Sequence, residues 1–128
     1  MISLNYTIDI VPERSLITGK IYGLWTRDIA EEYIKEYRDV AGPLLGGRWA
    51  RLTILTNWKS SYPEIIEIIG DLLRWTQQHG AIFTVYVVDN PVIRKQLQRI
   101  VDSGDVTSIT KIFHTYEEAD RFLKNNGF

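Results

Sequence analysis

Apolar and polar residues alternate from Leu4 to Val11, with Leu4, Tyr6, Ile8 and Ile10 set against Asn5, Thr7 and Asp9. Period two predicts a half-buried strand near a sheet edge. Pro12-Glu13-Arg14-Ser15 then reads as a four-residue turn into a second strand from Leu16 to Gly23, an antiparallel hairpin. Beyond Trp25 the period changes to that of a helix: Ile29, Ala30, Tyr33, Ile34, Tyr37, Val40 and Ala41 share one arc of about 140°. Thr26 and Asp28 are both possible N-caps, and Asp28 with Glu31 makes the better capping box. Gly42-Pro43 stops the helix. A third strand is predicted over Arg51 to Thr56, broken by Asn57-Trp58-Lys59-Ser60-Ser61, and a second helix over Pro63 to His79. Ile82 to Val88 is almost continuously apolar, as in a strand covered on both faces. Asn90-Pro91 caps a third helix that carries Val92, Ile93, Leu97, Ile100 and Val101 inward, Ile109 to His114 is a fifth strand, and Thr115 with Glu118 caps a last helix.

The resulting order is β-β-α-β-α-β-α-β-α. Strands separated by helices pair in parallel through right-handed crossovers, and the opening hairpin adds one antiparallel strand. The expected fold is α/β, with a mixed, mostly parallel five-stranded sheet and helices mainly on one face.

Composition narrows the chemistry. The 128 residues suit one domain, 1–128, large enough to bury a core without covalent staples. No cysteine is present, which removes disulfides, thiolate zinc sites and thiol nucleophiles. Fifteen basic against 16 acidic residues leave a net charge of −1, poorly suited to broad nucleic-acid binding. The first residues have neither a basic stretch nor an unbroken apolar run, so no secretory leader is expected. No apolar run approaches the roughly 20 residues of a membrane span. A cytoplasmic protein without a transmembrane segment is the expectation.

Ligands of open α/β sheets gather beyond the carboxyl ends of the strands. There the chain offers Asn57, Asp89 and His114 as weak ligand candidates, and Asp89 with His114 as the sole acid–base pairing. No G-x-S-x-G accompanies them, and G-x-G-x-x-G and the lysine-bearing phosphate loop are both missing. The same residues also read as helix caps and solvated loop positions. Two histidines, His79 and His114, without H-x-x-x-H spacing do not suggest a metal site, and no cofactor is expected. The aromatic residues Trp58 and Tyr62 flank Lys59-Ser60-Ser61 after the third strand. Exposed, they would mark a contact surface; alternatively Trp58 folds back as a plug. The second helix has an apolar arc of about 180°, broad for one-sided burial, with Ile66 and Trp75 at its margins.

The element order, the break after the third strand and the ending Phe113-His114-Thr115-Tyr116-Glu117-Glu118-Ala119-Asp120-Arg121-Phe122-Leu123 resemble the STAS domain superfamily, and within it the small SpoIIAA-like bacterial proteins. The resemblance implies a β-α superhelix and a non-enzymatic regulator of the anti-sigma-factor-antagonist kind. It implies a protein partner bound through the loop after the third strand and the second helix. It also implies a phosphoacceptor at that helix start, matched here by Ser60 or Ser61. The D-S-[ST]-G-like motif lacks its aspartate and its glycine in Asn57-Trp58-Lys59-Ser60-Ser61-Tyr62. The partner-binding residues expected on this basis are Trp58, Tyr62, Ile66 and Trp75. A second reading is a small-molecule or lipid-binding module with an apolar pocket beside the second helix. Self-association into a homo-oligomer is open to the edge strand, the uncovered sheet face or the second helix.

Overall fold

The computed structural model describes residues 5–60 and 63–128. Strand β1 (Tyr6–Val11) turns through a short 3-10 segment at Pro12–Arg14 into β2 (Leu16–Trp25), and α1 (Arg27–Ala41) follows. Then come β3 (Trp49–Ser60), α2 (Pro63–Gln78), β4 (Ala81–Val87), α3 (Pro91–Gly104), β5 (Thr110–Phe113) and α4 (Tyr116–Asn125). The fold is α/β: one five-stranded sheet in the order β1-β2-β3-β4-β5, antiparallel between β1 and β2 and parallel elsewhere.

Side-chain alternation divides the core in two. The larger core joins Ile17, Ile21 and Leu55 of the sheet to the inner faces of α1, α2 and α3. The smaller joins Leu16, Leu52, Val85 and Val87 of the opposite face to Ala119 and Leu123 of α4, with Phe128. Between the hairpin and α4 the second face keeps a groove of about 210 Å³, floored by Leu52 and Ile54 and rimmed by Asp9, Lys20 and Tyr116.

Three local outcomes differ from the sequence reading. The hydroxyl of Thr26, not Asp28, caps α1 and accepts from Ile29 N. Both β2 and β3 run longer than predicted, to Trp25 and Ser60. The supposed break after Thr56 is a β-bulge: Tyr22 pairs with Thr56 but Gly23 with Trp58, so Asn57 is an extra residue. Asn57 takes a φ of +47° and Gly23 one of +77°, the left-handed region that asparagine and glycine tolerate best. One added residue reverses alternation. Trp58, which strict period two puts on the face of Leu52 and Ile54, instead joins the larger core under the helices.

Helices α2 and α3 meet at two glycines. A Cβ on Gly70 would press on Gly104 N and the Ser103 side chain, and one on Gly104 on the Gly70 backbone. Neither glycine breaks its helix; each lets the backbones approach.

Candidate functional site

The carboxyl ends of β2 to β5 form one edge of the sheet, where β3 ends at Ser60. Asn90 anchors it at the start of α3, its side chain accepting from Val92 N at 2.8 Å and Ile93 N at 3.2 Å. Thr115 caps α4 by accepting from Glu118 N, and its hydroxyl donates to Glu118 Oε1 at 3.0 Å. Both caps match the sequence reading.

Trp58 is 2 % exposed, which corrects its assignment as a partner contact. It packs edge-on against Trp25, with ring centroids 6.3 Å apart, and is a plug. The carbonyl of Trp58 accepts from Gln96 Nε2 of α3 at 3.2 Å, covering backbone that β4 is too short to pair. Ile66 and Trp75 are half-buried, and both pack against the larger core. Trp75 meets Tyr37 edge-on, lies under the guanidinium of Arg38 and stacks on His79 at 4.3 Å. The imidazole Nδ1 of His79 sits 2.7 Å from Trp75 O, as a donor closing the last turn of α2. Tyr62 and Ser61 lie outside the described residues; Ser60 ends β3.

Asn57, Asp89 and His114 are exposed. No hydrogen bond or ion pair joins Asp89 to His114, although Val88 N donates to Phe113 O just before them. They form no acid–base pair. Among the described residues no group of three or more metal-ligating side chains converges, and no helix is long and apolar enough to cross a membrane.

Large hydrophobic side chains are exposed at three described positions: Leu24 (54 %), Val92 (68 %) and Tyr116 (45 %). Leu24 is the last residue but one of β2, Val92 the second of α3 and Tyr116 the first of α4, so all three belong to elements that meet at the carboxyl edge. Sequence reading passed over Leu24, and it turned Val92 inward with Ile93, Leu97, Ile100 and Val101; the structure corrects this, since the first turn of α3 leaves Val92 in solvent while the other four are buried.

Sequence reading also passed over Arg51, which is 2 % exposed near the start of β3. Its Nη1 donates to Tyr86 Oη at 2.8 Å and its Nη2 to Tyr33 Oη at 3.0 Å. The rings of Tyr37 and Tyr86 lie 5.5 Å and 5.2 Å from the guanidinium carbon. Burial opposes its charge, but the surrounding tyrosine oxygens outweigh this and hold its pKa above the ordinary arginine value. It remains a cation whose partners are all hydroxyls and π-faces. The signal was present in Tyr33 and Tyr37, one turn apart on the inner face of α1, and in an arginine alternating with Thr53 and Leu55.

Beside Arg51, under α2 and α3, lies a hollow lined by Trp25, Leu55, Trp58, Leu73 and Leu97 among others. Its volume of about 10 Å³ admits one water-sized occupant and no acyl chain. This hollow among the described residues therefore offers no space for a lipid chain. No protein-family model matches the chain, and no curated protein sequence matches it.

Proposed function

We propose that the chain is a non-enzymatic, cytoplasmic regulatory domain of STAS, SpoIIAA-like type that binds a protein partner along the carboxyl edge of its sheet. The observation that carries this reading is the placement of Leu24, Val92 and Tyr116. Among the described residues, the large hydrophobic side chains left exposed belong to elements that meet at the carboxyl edge, and exposed apolar groups favour contact over solvent. The end of β3 at Ser60 lies at the same edge, and the SpoIIAA-like resemblance puts the partner on the segment that follows it. The unlinked Asp89 and His114 favour binding over catalysis. The sequential sheet with three helices on its larger core supports a β-α superhelix. A phosphate on Ser60 or Ser61 would add a charge of about −1.5 to −2 at the start of α2 and repel an acidic or apolar partner.

Photo-crosslinking in the native cell tests the reading. A photoreactive side chain at position 24 or 92 is expected to trap the same discrete protein. Val92→Asp is expected to abolish the adduct formed from position 24, while position 35, on the exposed side of α1, traps nothing. No adduct from the edge, or equal adducts from position 35, would overturn it.

A further inference from the structure

Most of the arginines are engaged within the chain. Arg14 pairs with Asp120, Arg27 with Glu31 and Arg74 with Asp71. Arg38 and Arg48 lie over the rings of Trp75 and Phe128, and Arg51 is bonded to Tyr86 and Tyr33. The side chains of Arg94 and Arg99 in α3 make no such contact among the described residues, and neither does Lys95. All three are exposed. A guanidinium held by its own chain is spent on the fold, whereas one left in solvent keeps its donors free for another molecule.

Charge is also divided among the helices. The helices α1, α2 and α4 each carry more acidic than basic residues, and α3 reverses this, with Arg94, Lys95 and Arg99 against Asp102. The Asp102 carboxylate already accepts from Gln98 Nε2 at 3.1 Å. Surplus cation therefore sits on one helix of a chain whose net charge is −1. Val92, Lys95, Gln96 and Arg99 recur at helical spacing and form one stripe along α3. Two contacts fix where that stripe lies. Asn90 caps the helix start through Val92 N and Ile93 N, and Gln96 Nε2 donates to Trp58 O near the end of β3. Half-buried Gln96 is thus the inner margin, and exposed Val92, Lys95 and Arg99 run back from the carboxyl edge along the solvent side of α3.

Resting on the partner edge proposed above, we infer that α3 presents this stripe to an acidic segment of that protein partner. Val92 supplies the apolar contact and Lys95 and Arg99 the charge, with Arg94 at the flank. Opposite charges steer such an encounter and fix its register. The stripe is short, since the helical rise from Val92 to Arg99 spans about 10 Å. Exposed Glu64 and Glu67 on neighbouring α2 repel an extended polyanion such as a nucleic acid or an anionic membrane, which calls for a broad cationic surface. A protein segment can set its carboxylates against α3 alone.

The test uses a photoreactive side chain at position 24, which leaves α3 unaltered. Lys95→Glu combined with Arg99→Glu is expected to lower the yield of the protein adduct ~10-fold or more, since like charges brought together at an interface are strongly disfavoured. Lys111→Glu combined with Arg121→Glu makes the same change of net charge at exposed positions of β5 and α4, and is expected to leave the yield unchanged. Circular dichroism checks that both double variants keep their helices. With α3 native, mass-spectrometric mapping of the adduct is expected to place the crosslinked partner peptide beside a run of Asp and Glu residues. Reversing those to Lys is expected to restore the adduct with the chain that carries Lys95→Glu and Arg99→Glu. Equal yields from the two double variants would overturn the acidic segment, and so would a mapped segment without carboxylates; the partner edge would stand in either case. An adduct with nucleic acid or lipid, or none at all from position 24, would remove both.

Discussion

At the scale of single residues, burial decides what the aromatics do. Trp58 is enclosed whereas Trp75 keeps part of its ring in solvent over His79 and under Arg38. Trp58→Ala is expected to cost about 3–5 kcal/mol, the range for removing a large buried ring, and Trp75→Ala clearly less. Urea midpoints on the two variants check the ordering. The tyrosines around Arg51 set an alkaline limit. Burial raises the hydroxyl pKa of Tyr37 and, despite the opposing charge of Arg51, that of Tyr86. Both are raised above the unfolded value of about 10, so their contribution is complete below pH 10 and is lost as pH climbs toward the folded values. Urea stability measured between pH 8 and about 11.5 is expected to fall in the upper part of that range. The decline is expected to be shallower in Tyr86→Phe. Trp58 and Arg51 are also the residues that sequence reading misplaced or missed, for physical reasons. A one-residue bulge inverts alternation without altering composition, and an arginine in a strand is ordinarily solvated. Tyr33 and Tyr37, whose helical spacing is local, were legible.

At the scale of elements, the signals that carried were short-range. The caps at Asn90 and Thr115 and the turn at Pro12 act within four residues of themselves, and each was readable. The capping of α1 was not, because Thr26 and Asp28 both have cap chemistry and the length of β2 decides between them. Strand ends were short by two residues in β2 and four in β3, since both continue only by pairing with each other. The glycine contact of α2 with α3 was equally invisible, being a property of two helices at once. Gly104→Ala is expected to force the helices apart at a cost of about 1–3 kcal/mol, the range for overpacking. The loss should appear as a lower urea midpoint. Gly42→Ala, where a Cβ meets nothing within 4 Å, serves as the control.

At the scale of the whole molecule, the two faces of the sheet are unequally secured. Three helices share the larger core, whereas α4 alone closes the smaller one through Ala119, Leu123 and the rings of Phe122 and Phe128 against Phe83. What fastens α4 beyond these contacts is polar. Asp120 pairs with Arg14 of the hairpin turn at 2.7 Å and with Lys124 at 3.0 Å, and Arg48 Nη2 donates to Asn126 O at 2.7 Å. Partial burial pushes the Asp120 carboxyl upward, but hydrogen bonds and charges from Lys124 and Arg14 prevail and hold its pKa below the ordinary value. Its contribution is therefore present above the unfolded pKa of about 3.8 and lost as pH falls through the folded one. Regions with fewer buried contacts open at lower free energy than the core they adjoin. Amide exchange at neutral pH is accordingly expected to be faster in α4 than in β3 or α2. Asp120→Asn should accelerate α4 further while leaving β3 unchanged. Equal acceleration in both would mean that the two cores open as one unit, with α4 no weaker than the helices on the other face.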